Sequence, residues 1–127
     1  MPYRLLIVDA SATARAMVKR ALRQTEFASA RVAEAAGGAE AIDLLQQHPF
    51  DLILIAPDLP GGDGPDLIGR VVAEPDTRAT PVVLMTADLA AAPALVRRLR
   101  ARGHLAKPVR PADLQAALAR LLEPTHV

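Results

Sequence analysis

Short apolar runs divide the chain, and the segments between them carry helical patterns. Residues 5–8, 52–55 and 82–85 are continuous in apolar side chains, and each run ends at a polar or turn residue. Strands of a parallel sheet that is covered on both faces show this pattern. Two weaker strands are predicted over residues 29–33 and 104–106.

Between the strands, three segments place apolar side chains on one helical face. The stripes consist of Ala14, Met17, Val18, Ala21 and Leu22, of Ala41, Leu44, Leu45 and His48, and of Leu114, Ala117, Leu118, Leu121 and Leu122. Further helices are predicted over residues 65–73 and 93–102. Five β-α units in succession favour an α/β fold with a doubly wound parallel sheet. In such a sheet, functional residues gather at the carboxyl ends of the strands.

Length and composition narrow the class of protein. A chain of 127 residues predicts a single domain over residues 1–127. No apolar stretch approaches the roughly 18 residues that span a bilayer, and the first strand begins too early to leave room for a signal peptide. The absence of cysteine excludes disulfides and thiolate metal sites. We therefore expect a cytoplasmic protein without a membrane partner.

The charge is nearly balanced overall but uneven along the chain. A formal net charge of +1 produces no global field that would favour nucleic acid, and the three aromatic side chains offer little stacking surface, so nucleic acid is not an expected partner. Four arginines lie within six positions: Arg97, Arg98, Arg100 and Arg102. They form either a solvated face or a docking surface for an acidic partner or an anionic ligand.

The loop after the third strand carries the most specific motif. It holds Pro60, Asp63 and Gly64, and Ala56 lies four residues before the proline. This loop resembles the phosphorylation loop of bacterial response-regulator receiver domains, the CheY-like family, which reads Asp-x-x-x-Pro-x-x-Asp-Gly and whose first Asp accepts a phosphoryl group. Asp9 after the first strand, Thr86 after the fourth and Lys107–Pro108 after the fifth match the family in order.

The resemblance covers essentially the whole chain. It implies a (βα)5 flavodoxin-like three-layer sandwich with a parallel sheet of order 2-1-3-4-5. In the family, two neighbouring acidic residues and the acceptor Asp hold Mg²⁺, while a Thr hydroxyl and a Lys ammonium hold the phosphoryl oxygens. The corresponding positions here form a degenerate pocket of Asp9, Ala10, Ala56, Asp58, Thr86 and Lys107.

The substitutions in this pocket remove the usual chemistry. A methyl group at Ala56 has no lone pair and forms no acyl phosphate. Because Ala10 and Ala56 replace two of the three acidic residues, Asp9 is the only carboxylate left to bind a metal, although a backbone carbonyl near Asp58 could contribute. Mg²⁺ binding is therefore expected to be weak or absent. We expect Asp9 to pair with Lys107 instead, and Thr86 to make a strand-end hydrogen bond.

Two further positions follow from the resemblance and the loop. His104, three residues before Lys107, occupies the place of the family's aromatic switch residue, where an imidazole would titrate near neutral pH or simply lie half-exposed. Asp63 and Gly64 are interpreted as turn residues, with Gly64 at positive φ.

The leading hypothesis is a pseudo-receiver, a protein-interaction module of two-component signalling that is not phosphorylated at the usual position and is not an enzyme. Its partner would be a histidine kinase, a phosphotransfer protein or another response-regulator component. A homodimer through the face of the fourth helix, fifth strand and fifth helix is an alternative.

Three other hypotheses remain: phosphorylation at Asp58 or another carboxylate, an anionic-nucleotide sensor that uses helix 93–102, and a flavodoxin-like cofactor enzyme. Asp9 argues against the last because it would repel a phosphate group. Joint loss at Ala10 and Ala56 favours natural divergence over a single introduced substitution.

Overall fold

The structure is a computed structural model that describes residues 2–122. Its strands are β1 (Arg4–Val8), β2 (Arg31–Ala35), β3 (Leu52–Ile55), β4 (Val82–Thr86) and β5 (Gly103–Ala106). Its α-helices are α1 (Ala12–Leu22), α2 (Gly38–Gln47), α3 (Asp63–Ala73), α4 (Ala92–Leu99) and α5 (Pro111–Leu121). A short 3₁₀ turn, Pro60–Gly62, precedes α3.

The strands form one parallel sheet in the order β2-β1-β3-β4-β5, as predicted. Its centre is fully apolar: every residue of β3 is buried, because helices cover both faces. β2 and β5 are the edge strands of the sheet.

Alternate residues of each strand enter two separate cores. Leu5 and Ile7 pack in a cluster that contains the buried side chains of α1 and α5. Leu6 and Val8 pack in a second cluster with α2 and α3, to which the half-buried side chains of α4 add. The helices therefore lie as two layers on opposite faces of the sheet, and the three-layer sandwich is confirmed.

Local chemistry sets several helix ends. The Ser11 hydroxyl accepts a hydrogen bond from the Ala14 amide at 3.1 Å and caps α1, and Pro111 opens α5 at a position where its missing N–H costs nothing. α4 ends at Leu99 rather than Arg102 because Arg100 adopts a left-handed conformation with φ of 61°. The predicted helix 93–102 was therefore too long.

Three other sequence predictions were wrong in detail. β2 begins at Arg31 rather than at residue 29, because the preceding segment closes in a turn in which the Ala30 amide donates to the Phe27 carbonyl at 3.0 Å. Met17 is 41% exposed although its helical position suggested the core. His48 is exposed and ends α2 instead of joining its buried face.

Within residues 2–122, no helix is long and apolar enough to cross a membrane.

Candidate functional site

The carboxyl ends of the four strands β1, β3, β4 and β5 meet at one edge of the sheet. Val8 pairs with Ile55 in the parallel register, so the next residues, Asp9 and Ala56, leave the sheet side by side. The Ala56 amide donates to the Val8 carbonyl at 2.9 Å and holds the two segments together. Thr86 and Lys107 end the neighbouring strands, and the Lys107 amide donates to the Thr86 carbonyl at 3.0 Å. The structure thus brings Asp9, Ala56, Thr86 and Lys107 of the predicted pocket to the same edge of the sheet.

Asp9 is the central side chain of this pocket and is buried, with a relative exposure of 4%. Its Oδ2 accepts a hydrogen bond from Lys107 Nζ at 2.5 Å, and its Oδ1 accepts from the Ser11 amide at 2.9 Å. The ion pair that the sequence suggested between Asp9 and Lys107 is therefore present. Both carboxylate oxygens have partners within the chain.

Ala56 and Ala10 occupy the two positions where the resemblance calls for carboxylates. Ala56 is buried, with 1% of its surface exposed, and Ala10 is exposed. Neither side chain carries an oxygen that would bind a metal or attack phosphorus. Asp58 lies two residues beyond Ala56 and is exposed at the surface.

Thr86 and His104 occupy the two positions associated with switching. Thr86 Oγ1 accepts a hydrogen bond from the Asp88 amide at 3.0 Å, so the strand-end bond expected for this hydroxyl is confirmed. His104 is exposed on the edge strand β5.

An ionic cluster beside the pocket escaped the sequence analysis. Arg15 donates from Nη1 to the Asp9 carbonyl at 2.6 Å and from Nε to Glu34 Oε1 at 3.0 Å, while Lys19 Nζ donates to Glu34 Oε2 at 2.6 Å. The hydrogen bond from Lys19, aided by Arg15, lowers the pKa of Glu34 below its ordinary value of 4.5, against the opposing effect of partial burial. The i, i+4 spacing of Arg15 and Lys19 was the sequence signal for this cluster. Their anionic partner, Glu34, lies on another element, so the spacing alone did not identify it.

The donor set of the pocket does not fit Mg²⁺. Magnesium requires a compact octahedron of hard oxygens. Among the pocket residues at the ends of β1 and β3, Asp9 is the only carboxylate. Asp9 already binds the Lys107 ammonium group. Across residues 2–122, no three His, Cys, Asp or Glu side chains form a group that could hold a metal ion.

The loop after Ala56 is shaped by glycines, but not in the way the motif suggested. Gly61 and Gly62 adopt positive φ values of 73° and 77°, whereas Gly64 lies inside α3. A Cβ atom on Gly64 would lie 2.4 Å from the Pro57 carbonyl oxygen. Gly64 is therefore required by close approach of the backbone rather than by a left-handed turn.

A shallow groove opens beside the pocket, and we call it the α1 groove. It has a volume of about 310 Å³ and is mostly apolar. Its lining consists of Ser11, Thr13, Ala14, Met17, Val18, Lys107, Pro108 and Val109. The exposed Met17 side chain belongs to this groove, which explains an apolar residue on the outside of α1.

A doubly wound five-stranded sheet with Asp9, Thr86 and Lys107 at its carboxyl edge defines a receiver-type signalling domain. The family model of the response regulator receiver domain matches residues 5–119. This chain belongs to that family, the CheY-like receivers of two-component signalling.

Relatives of several kinds share the sequence and the fold. Chemotaxis protein CheY-3 of Vibrio cholerae is 30% identical over 122 residues, which cover 94% of this chain and 92% of that protein. Sensory/regulatory protein RpfC of Xanthomonas campestris is 32% identical over 97% of this chain but only 17% of its own length. The crystal structure of chemotaxis response regulator CheY4 of Vibrio cholerae superposes with a TM-score of 0.83 at 29% identity, covering 96% of this chain and all of that one.

Proposed function

We propose that this chain is a pseudo-receiver, which acts through protein contacts and is not phosphorylated at position 56. The observation that carries the proposal is the pairing of a buried Ala56 methyl group with an Asp9–Lys107 ion pair in the same pocket. Without a carboxylate at Ala56, no acyl phosphate forms there. Because Lys107 already binds Asp9, its charge is compensated without a phosphoryl group.

The pocket itself is tested by adding Mg²⁺ and then beryllofluoride, a mimic of the acyl phosphate, while amide NMR shifts are recorded. We expect no saturable shifts at Asp9, Ala56, Thr86 and Lys107, and weak or absent Mg²⁺ binding. Intact mass after incubation with acetyl phosphate should show no phosphoryl adduct. Saturable shifts that spread from the pocket, or a stable adduct, would contradict the proposal.

Phosphorylation at Asp58 is the second candidate, because this carboxylate is exposed close to the same strand end. If the wild-type chain forms a phosphoryl adduct, the variant Asp58→Asn tests whether Asp58 carries it. Loss of the adduct in Asp58→Asn, with retention in the matched surface variant Asp66→Asn, would assign the modification to Asp58.

The α1 groove supports a contact with a phosphodonor protein. A histidine kinase or phosphotransfer protein must approach the carboxyl ends of the strands to reach a receiver pocket, and the α1 groove lies at that edge, between α1 and Lys107. Its apolar lining and the exposed Met17 provide area that a partner can bury. We propose that this chain occupies such a partner and competes with a phosphorylatable receiver in the cytoplasm.

Competition is measured as the rate of phosphotransfer from a histidine kinase of the same organism to the receiver which that kinase phosphorylates. The rate is recorded with and without this chain. Where the chain binds the kinase, transfer should slow and the chain should stay unlabelled. Met17→Glu should abolish the inhibition, since it places a charge in the α1 groove. Gln47→Glu introduces the same charge at an exposed position of α2 and should leave the inhibition unchanged. An unchanged effect of Met17→Glu would exclude the groove as the contact.

A further inference from the structure

A groove lies between the carboxyl halves of α2 and α3, at the edge of the sheet opposite the pocket. It has a volume of about 200 Å³. A second hollow of about 260 Å³ continues it toward the amino ends of β3 and β4, where Phe50 and Thr80 line it. The two hollows share four lining residues: Leu45, Gln46, Asp76 and Thr77. We call this continuous depression the α2–α3 groove.

The floor of the α2–α3 groove is apolar and its rim is polar. The apolar lining residues between the two helices are buried or half-buried: Ile42, Leu45, Leu67 and Val71. The polar residues Gln46, Glu74 and Asp76 line the same space and are exposed. Arginine and lysine side chains combine an aliphatic stem with a charged head, so either would match both the floor and the rim.

The rim of the groove carries an uncompensated negative charge. Arg70 is the only lysine or arginine that lines the groove, and its Nε binds Glu74 Oε1 at 3.0 Å, so these two charges compensate each other. Asp76 joins none of the ion pairs within residues 2–122. Arg78 is exposed nearby in the chain but does not line the groove. The Asp76 carboxylate is therefore available to a cation from another molecule.

The elements around the groove strengthen this preference for a cation. Residues 36–77, which form α2, β3 and α3, contain eight acidic residues and a single arginine. α2 ends at the groove without a basic residue in its last turn, so the partial negative charge of its carboxyl terminus is not offset there. The same field repels the phosphates of nucleic acids and anionic lipids.

We propose that the α2–α3 groove docks a basic segment of a partner protein. An arginine or lysine stem of that segment would cover the apolar floor, and its charged head would meet Asp76. The proposal goes beyond the pseudo-receiver function, because this surface lies at the amino edge of the sheet, whereas the pocket and the α1 groove lie at the carboxyl edge. A partner in the α2–α3 groove leaves the α1 groove open, so the chain can hold two proteins at once.

A second copy of this chain is the other source of cations. Four exposed arginines join none of the ion pairs within residues 2–122: Arg97, Arg98, Arg100 and Arg102. A contact between these arginines and the α2–α3 groove of the next copy would be head-to-tail, and such contacts build filaments unless they close into a ring. We therefore assign the groove to a separate protein, and self-association is one outcome of the test.

The probe is a fluorescein-labelled peptide in which Arg alternates with Leu, and binding is read as fluorescence anisotropy at low and at high salt. Asp76→Lys should weaken binding about tenfold or more at low salt. Gln46 offers a matched pair at one exposed position of the rim: Gln46→Lys should weaken binding, and Gln46→Glu should tighten it about threefold. The same two substitutions at Gln24, exposed just beyond α1, should leave binding unchanged.

The location is checked by amide NMR, in which the peptide should shift resonances of residues 42–50 and 67–80. Equal binding by Gln46→Lys and Gln46→Glu, or shifts centred on another surface, would overturn the proposal. Tighter binding of spermine than of the peptide would also overturn it, since a small polyamine would then be the ligand.

Self-association of the chain, seen by sedimentation and abolished by Asp76→Lys, would overturn the proposal in favour of a second copy. A phosphoryl adduct on the wild-type chain would refute the pseudo-receiver function without changing the anisotropy of the peptide. The failure of one proposal is therefore distinguishable from the failure of the other.

Discussion

Ala56 illustrates how much chemistry one side chain carries at the scale of the residue. Its neighbours Asp9, Thr86 and Lys107 stand at the strand ends in contact with one another or with adjacent backbone, as a receiver pocket requires. Two short side chains, Ala56 and Ala10, occupy the positions where the family motif has carboxylates. If these two side chains are all that distinguishes the pocket, restoring the carboxylates should restore phosphorylation.

We expect Ala56→Asp to form a phosphoryl adduct with acetyl phosphate and Mg²⁺, because the new carboxylate would lie beside Lys107. The double variant Ala10→Asp/Ala56→Asp should bind Mg²⁺ at least about tenfold more tightly than the single variant, since it adds a second hard anionic ligand. Intact mass and Mg²⁺ titration by NMR measure the two effects. A folded double variant without an adduct would show that more than the carboxylates has been lost.

Two glycines of α3 provide a matched test of backbone packing. Gly64→Ala places a methyl group against the Pro57 carbonyl and should destabilise the fold by about 1–3 kcal/mol, as overpacking does. Gly69→Ala in the same helix meets nothing within 4 Å and should stabilise by roughly 0.5–1 kcal/mol through helix propensity. Urea denaturation of both variants measures the difference. Equal effects of the two substitutions would refute the close-approach explanation.

At the scale of the element, charged side chains connect α1 to the edge strand β2. Glu34 on β2 binds Arg15 and Lys19 on α1, one helical turn apart, and Arg15 also holds the Asp9 carbonyl. The ionic cluster therefore ties the helix beside the pocket to an edge strand that has only one neighbour in the sheet. The side chains are partly solvated, so the contribution of the cluster to stability is modest.

Glu34→Gln should lower the free energy of unfolding by about 0.5–1 kcal/mol at neutral pH. Because Lys19, and to a lesser degree Arg15, lower the pKa of Glu34 in the folded chain, its contribution to stability is present above pH 4.5 and disappears as the pH falls through the folded pKa. The difference between wild type and variant should therefore shrink in acid.

Urea denaturation at neutral and acidic pH measures this difference. Asp43→Asn, at an exposed carboxylate of α2 that joins no ion pair within residues 2–122, is the control and should show no such convergence. A constant Glu34→Gln effect at all pH values would contradict the assigned ionic role.

At the scale of the whole molecule, the Asp9–Lys107 pair joins residues 98 positions apart, at the ends of β1 and β5. It links the carboxyl ends of β1 and β5, which β3 and β4 separate in the sheet. Asp9 is almost fully buried, while a quarter of the Lys107 side chain is exposed. Such a pair is costly to break from one side, since the remaining charge loses its partner.

Asp9→Ala should destabilise the protein by about 1–3 kcal/mol, because it strands the Lys107 ammonium group. The double variant Asp9→Ala/Lys107→Met removes both charges. Its loss in free energy of unfolding should be smaller than the sum of the losses of the two single variants. A double-mutant cycle by denaturation gives the coupling between the two residues. Strict additivity of the two substitutions would show that the pair contributes nothing to stability.

Much of the fold follows from local pattern. The runs 5–8, 52–55 and 82–85 became the buried strands β1, β3 and β4, since continuous apolar segments of that length are stable only inside a sheet covered on both faces. The order of strands and the identity of the pocket residues came from the family resemblance. The single-domain assignment of residues 1–127, the weak Mg²⁺ binding and the roles of the site residues stay predictions.

The sequence by itself determined the five β-α units, the two-sided sheet and the absence of a carboxylate at Ala56, because periodicity and side-chain chemistry are local properties. Only the tertiary structure decided that Gly64 is needed by the Pro57 carbonyl, that Met17 lines a groove, and that Glu34 joins Arg15 and Lys19. These contacts link residues from different elements. Their distances depend on how helices pack against the sheet, which no spacing along the chain records.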